Sequence, residues 1–371
     1  MSVQKVLLAE PRGFCAGVEM AIKALAWMVT IFDPPVYCYH EIVHNQIVVK
    51  RFKDLGVVFV DDISEVPQGA PVMLSAHGSA PEVVSVARER AGVVVNAVCP
   101  LVTKVHHELK VRADKGYTIF YVGHEGHEES VGTMAVAPDS VLLVEHEEDV
   151  DQIGEPNGPL ALLAQTTLSH DEWSGIVEKV KQRFGELWMP TRGDLCFATT
   201  NRQGALKAIA DRADVVVVIG SANSSNTVAL VKVAKAAGAS RVLRVNSASE
   251  LPDDINGVVA VTAGASAPEE LVNEVLEKLN PVQGVETVRN SEEDEYFPPP
   301  RELRELLKSV KQLVTLSESS SIAVDLADTG ENLVVLPDQL NLERCKKLFS
   351  LDEPDDRKVT ASEILLTLGS K

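Results

Sequence analysis

The stretch KVLLAEPRGFCAGVEMA, residues 5–21, runs from a short apolar segment through Pro-Arg-Gly-Phe-Cys and then resumes with apolar residues at three- and four-residue spacing. That is the pattern of a strand handing over to a helix through a tight turn. One cysteine in such a turn proves little. The arrangement recurs, however, at NAVCPLVTK (96–104) around Cys99 and at GDLCFATTNRQ (193–203) around Cys196, each time after a candidate strand or extended run.

Outward from these turns, the chain alternates strand-length apolar runs with helical patterns as far as about residue 304. The runs are KVLLAE, PVYCY, VVFVDD, PVMLSA, VVVNAV, TIFYVG, SVLLVE, LALLAQ, DVVVVIG, RVLRV and GVVAVTA. Between them lie segments such as EVVSVARERAG, DEWSGIVEKVKQRF, NRQGALKAIADR, NTVALVKVAKAAG and PEELVNEVLEKLN, with Gly or Asn near their ends. Strictly alternating strands and helices imply an α/β fold with mostly parallel sheets covered by helices. So many strands would make one very wide sheet, so several smaller sheets are expected.

The cysteine turns suggest the division, since Cys15, Cys99 and Cys196 are spaced by 84 and 97 residues, about one small α/β unit each. The expected segments are 1–97, 98–194 and 195–304, followed by an extension at 305–371. A second echo, SAHGSAPE at 75–82 against TAGASAPE at 262–269, supports repeated architecture. Near residue 304 the texture changes: NSEEDEYFPPPRE reads as an irregular connection. Beyond it come a helix pattern in LRELLKSVKQL, two candidate strands in SIAVDLADTGENLVVLP, and the charged LDEPDDRK. This region reads as a small appended domain or a partly ordered tail and carries no chemical motif.

A chain of 371 residues can bury a sizeable core. Its first segment lacks the basic start, long apolar centre and cleavage site of a secretory signal, and its longest apolar runs are of strand length, so a soluble, cytoplasmic protein with no membrane partner is expected. Five cysteines are too few and too scattered for a disulfide framework. A formal net charge of −19 argues against nucleic acid, which requires a basic stripe to neutralise phosphates. A small anion can still bind where local donors outweigh the long-range repulsion.

Taken singly, each cysteine is an ordinary buried thiol. Their shared setting supports a second reading, because a helix start offers free amides and the positive end of the dipole to a thiolate, the form that binds metal. Three widely separated thiolates with no CxxC pair do not suit structural zinc. They suit an iron-sulfur cluster clasped between domains with one iron open to substrate. Cys38 and Cys345 lack that context and read as packing residues.

Polar turns form the next pattern. In VVVVIGSANSSNTVAL, Ser221, Asn223, Ser224, Ser225 and Asn226 stand between strand and helix, where side-chain donors add to free amides; the turn is either a helix cap with surplus Ser and Asn or an anion site. The second such turn, at Ser266, favours the anion site. Neither matches the dinucleotide or nucleoside-triphosphate loop. His44, His77 and His127 fall in HEIVHN, SAHGSAP and VGHEGHEES, the latter two just after candidate strands, and imidazoles can donate to phosphate oxygens. Glu129 follows His127 by two residues. Beside a buried anion its carboxyl would bind a proton more tightly and serve as a proton donor; otherwise it is a surface glutamate in an acidic stretch.

RGFCAGV, HEIVHN, SAHGSAP, NAVCPLVTKVH, GHEGHEE, QTTLS, CFATTNRQ, GSANSSNT and TAGASAPE, in that order, closely resemble the 4-hydroxy-3-methylbut-2-enyl diphosphate reductase family over roughly residues 5–304. The resemblance implies a 4Fe-4S cluster held by Cys15, Cys99 and Cys196 at the centre of three small α/β domains related by pseudo-three-fold symmetry. It implies a diphosphate site at His44, His77, His127, Ser224, Ser225, Asn226 and Ser266. It further implies Glu129, Thr166 and His127 as catalytic groups, with Glu129 delivering the proton and Thr166 near the substrate hydroxyl. The implied reaction is reductive dehydroxylation of the allylic diphosphate to isopentenyl and dimethylallyl diphosphates, with ferredoxin or flavodoxin as electron donor. The extension after Arg304 departs from many members. Two other readings compete: a non-catalytic iron-sulfur sensor on the same fold, and another open-site cluster enzyme such as quinolinate synthase, which would need a dicarboxylate site.

Overall fold

The computed structural model describes residues 2–191, 193–318, 339–349 and 359–368. Its strands are β1 (Ser2–Glu10), β2 (Val36–Tyr39), β3 (Val57–Val60), β4 (Pro71–Leu74), β5 (Val93–Asn96), β6 (Thr118–Val122), β7 (Val141–Val144), β8 (Leu160–Ala164), β9 (Val215–Ile219), β10 (Val242–Val245), β11 (Asn256–Ala263) and β12 (Val285–Arg289). Its helices are α1 (Ala16–Ile31), α2 (Gln46–Asp54), α3 (Pro81–Arg90), α4 (Pro100–Ala113), α5 (Glu128–Met134), α6 (Glu147–Gln152), α7 (His170–Phe184), α8 (Phe197–Ala210), α9 (Ser225–Ala236), α10 (Glu269–Leu279), α11 (Arg301–Glu318), α12 (Leu342–Phe349) and α13 (Ala361–Leu368).

The fold is α/β with three parallel sheets, as the alternation of runs implied. Every run read as a strand before residue 304 forms one, and β12 is an addition. Its side chains alternate between exposed and half-buried at a sheet edge, so Val-Glu-Thr-Val-Arg gives no apolar run to detect. The chain divides into two compact units. One comprises Met1–Ala16, His44–Gln46 and Pro100–Glu295; the other comprises Gly17–Val43, Ile47–Cys99 and Tyr296–Lys371.

The first unit holds two sheets. The five-stranded sheet has the order β10-β9-β11-β1-β12, and the three-stranded sheet the order β7-β6-β8. The N-terminal strand therefore does not pair within the 1–97 segment. It lies between β11 and β12, with Val6 opposite Val259 and Val285. β9 is buried at every residue, as a valine run in a doubly covered parallel sheet requires. Leu206 and Ile209 of α8 and Leu230 and Val233 of α9 pack over it with Leu7, Val216 and Val218. Parallel register puts the turns that leave β1, β9 and β11 side by side at their carboxyl ends, where α/β sheets place ligands. In the three-stranded sheet, the turns after β6 and β8 are adjacent for the same reason.

The second unit contains the four-stranded sheet β3-β2-β4-β5. Val60, Val66, Val72, Leu74 and Ala87 form part of its core. The described part of the C-terminal extension belongs to this unit rather than standing apart. α11 buries Leu303, Leu306, Val310 and Val314, a stripe at three- and four-residue spacing, and packs against β5 and α12. Leu340 bridges to Phe32, Gln339 Nε2 donates to Gly69 O at 2.7 Å, and Cys345 is fully buried. The backbone amide of Ala361, opening α13, donates to Glu19 of α1 at 2.7 Å. The two strands expected within 321–337 lie outside the described residues.

Candidate active site

Two glycines allow the turns after β9 and β11 to approach closely. A Cβ at Gly220, whose φ is +149°, or at Gly264 would collide with the Thr227 hydroxyl, so both turns close around the start of α9. Ser224 caps that helix, its hydroxyl accepting from Thr227 N at 3.3 Å. Ser266 Oγ donates to His44 O at 2.9 Å and lies 3.5 Å from Ser224 Oγ. Asn226 is buried; its Oδ1 accepts from Ala265 N at 3.0 Å and its Nδ2 donates to Thr199 Oγ1 at 3.2 Å. His44, Ser224, Ser225, Asn226 and Ser266 are thus gathered at one end of one sheet.

The histidine turn after β6 reaches the same region. His127 caps α5 with Nδ1 accepting from Glu129 N at 3.1 Å, which leaves Nε2 as the protonated nitrogen of the neutral ring. Its ring stands edge-on to that of His44, with centroids 5.4 Å apart. Beneath it, Glu129 is only 2% exposed. Thr166 N donates to Glu129 Oε1 at 2.7 Å and Thr166 Oγ1 donates to Oε2 at 3.1 Å. Burial pushes the Glu129 carboxyl up to about 7 despite these hydrogen bonds, with Asp194 adding to the rise and His44 opposing it. The surface-glutamate alternative is therefore overturned by burial. Near neutral pH this group can hold a proton and give it away.

Cys196 caps α8. Its Sγ accepts from Thr199 N at 3.2 Å and lies 3.0 Å from Thr199 Oγ1, while its backbone amide donates to Thr166 O at 3.0 Å. Cys15 stands between β1 and α1, its amide donating to Ala265 O at 3.2 Å. Burial, and then the neighbouring Cys15, push the Cys196 thiol up to about 12; the Thr199 hydrogen bonds act against that rise. Two close thiols at helix starts, costly to ionise unless a cation compensates them, are a donor set that fits a metal cluster. Cys15 and Cys196 are in no disulfide. Cys99 and His77 belong to the second unit. Cys99 ends the turn after β5, its amide donating to Ala76 O at 3.0 Å, and His77 lies in the turn after β4.

Several participants carried no signal of their own in the sequence. Gln165 is fully buried: its Oε1 accepts from His124 N at 3.0 Å, and its Nε2 donates to Thr167 Oγ1 at 2.9 Å and Ser225 Oγ at 3.2 Å. Asp194, two residues before Cys196, accepts from Ala164 N at 2.9 Å. Only the position of Gln165 directly after an apolar run hinted at it.

Hydroxyls, amides and imidazoles are gathered here with a buried acid and two neighbouring thiols. In an α/β fold, such a donor set can bind an anion and perform acid chemistry beside a group held by thiolates. The chain belongs to the LytB family, whose model, described as LytB protein, matches residues 6–280. The 4-hydroxy-3-methylbut-2-enyl diphosphate reductase of Rhodopirellula baltica is 48% identical over 310 residues, covering 82% of this chain and 97% of that protein. That of Mycolicibacterium paratuberculosis is 48% identical over 307 residues, covering 81% and 92%. The solved structure of the E-1-hydroxy-2-methyl-but-2-enyl-4-diphosphate reductase from Plasmodium falciparum matches with a TM-score of 0.79 at 33% identity, covering 83% of this chain and 99% of that one.

Proposed function

We propose that this chain reduces (E)-4-hydroxy-3-methylbut-2-enyl diphosphate to isopentenyl and dimethylallyl diphosphates, the last step of the methylerythritol phosphate route. The observation that carries the reading is Glu129, a fully enclosed carboxyl held by Thr166 and poised to be protonated near neutral pH. A sensor has no use for such a group, and a dicarboxylate enzyme has none for the Ser-Asn-His cradle.

Removing an allylic hydroxyl as water and replacing it with hydrogen consumes two electrons and two protons. In this reading Cys15, Cys99 and Cys196 hold a 4Fe-4S cluster, which supplies the electrons and a Lewis-acidic iron for the alcohol oxygen. His44, His77, His127, Ser224, Ser225, Asn226 and Ser266 bind the diphosphate with neutral donors and titratable imidazoles. Binding the non-reacting end in this way fixes where the alcohol sits, so its binding energy serves orientation. Glu129 gives the proton that lets the hydroxyl depart as water. Thr166, already bonded to Glu129 through Oγ1, is the hydroxyl that relays it. Protonation at one or the other end of the allylic system sets the two products. The electrons come from ferredoxin or flavodoxin, and the reducing cytoplasm keeps the thiols available.

Anaerobic turnover of the substrate with a reduced viologen dye tests this, using protein of verified iron and sulfide content. Formation of both diphosphate products is expected; an intact cluster with no turnover would favour the sensor.

A further inference from the structure

Arg202 is completely buried, a state no other arginine among the described residues shares. It lies on α8, six residues after Cys196. Its Nε donates to Gly13 O at 2.9 Å, its Nη2 to Phe14 O at 3.0 Å, and its Nη1 to Ala198 O at 3.0 Å. Nη1 also meets both carboxylate oxygens of Glu293 at 3.0 Å, so the buried charge is compensated. Gly13 and Phe14 are the two residues before Cys15, and Ala198 is in the first turn of the helix that Cys196 caps.

One rigid planar fork therefore ties the two thiol-bearing segments together. The amides of Gly13 and Cys15 donate to Ala263 O and Ala265 O, so the turn that carries Cys15 is held through its amides as well as its carbonyls. Gly13 has a φ of +65°, and its Cβ position would lie 3.2 Å from Ala267 O, which shows how tightly that turn is clamped. A buried guanidinium is expensive unless each donor is satisfied, and an apolar residue would fill the space without that demand. What an apolar residue cannot do is set the spacing of two backbone segments by hydrogen bonds.

We propose that Arg202, with Glu293 as its counter-ion, is a positioning residue that fixes Cys15 relative to Cys196 for cluster binding. The proposal rests on the cluster reading above. An ammonium cannot span these acceptors, so Arg202→Lys leaves the Cys15 turn without its full set of carbonyl tethers. Groups that orient metal ligands in this way typically matter by tenfold or more.

The test uses the cluster-loaded full chain under anaerobic conditions. It follows loss of iron to an excess of chelator and the electron paramagnetic resonance line shape of the reduced cluster. Arg202→Lys is expected to lose iron on the order of tenfold faster than wild type, with a shifted or broadened signal. Arg183→Lys is the control: Arg183 likewise donates to backbone carbonyls, of Val150 and Ile153, but holds no cysteine turn, and wild-type iron loss is expected. If Arg202→Lys does not fold, Glu293→Gln takes its place, with faster iron loss again expected. Folded Arg202→Lys, or Glu293→Gln in its stead, with wild-type loss and line shape overturns the proposal. Equal acceleration by Arg183→Lys also overturns it, by reducing the effect to general destabilisation. A wild-type chain that takes up no iron overturns the cluster reading and the proposal together.

Discussion

Glu129 illustrates how an environment suited to proton transfer costs stability. Its folded value, near 7, lies above the ordinary carboxyl value, so the folded state binds the proton more tightly than the unfolded chain. Its contribution to stability is therefore intact below about pH 4.5 and is lost as pH rises toward 7, where the buried group must ionise. Glu129→Gln removes that penalty. Its melting temperature should exceed that of wild type by a wider margin at pH 8 than at pH 5, and an equal margin at both would contradict the assignment. The thiols divide by context in the same way. Serine at Cys15, Cys99 or Cys196 should abolish or severely damage cluster loading, measured as iron and sulfide per chain, and full content in any of the three would refute that ligand. Cys38 lies in the middle of β2, fully buried, and serine there should leave iron content unchanged. At this scale the turns at Cys15, Cys99, His77, His127, Ser224 and Ser266 were legible because each follows an apolar run. Gln165, Asp194 and Arg202 were not, because their meaning lies in partners 30 to 189 residues away, which periodicity does not encode.

Among the elements, the strands were legible wherever burial demanded β-branched runs, as in Val215–Ile219, and illegible where it did not, as in the half-exposed edge strand β12. The sequence also could not reveal that β1 pairs with β11 and β12, since parallel partners far apart in the chain leave no local trace. The helix starts combine structure with binding. Ser224 caps α9 and stands in the candidate diphosphate cradle, whereas Ser169 caps α7 in a capping box with Glu172. Alanine at either position should cost about 1 kcal/mol of stability. Only Ser224→Ala should also raise KM for the diphosphate, and an unchanged KM would remove it from the cradle.

Over the whole molecule, the net charge of −19 opposes an anionic ligand, so the proposed diphosphate site requires the local donors of the turns after β9 and β11 to outweigh that repulsion. The described part of the C-terminal extension is a structural part of the second unit: α11 buries four apolar side chains, and Leu306→Ala there should destabilise by about 3 kcal/mol. Truncation after residue 304 should accordingly raise hydrogen exchange in α1 and β5, and unchanged exchange would show the extension to be dispensable to the fold. The proposed reaction turns on a buried acid giving a proton to a departing hydroxyl. The measurement that meets it most directly is kcat of the cluster-loaded enzyme across pH 5.5 to 9, for wild type and Glu129→Gln, with substrate saturating and a viologen donor in excess. Wild-type kcat should fall with a single-proton slope above about pH 7, and Glu129→Gln should be slower by ~100-fold or more with its cluster intact. Near-normal turnover in Glu129→Gln would contradict the account.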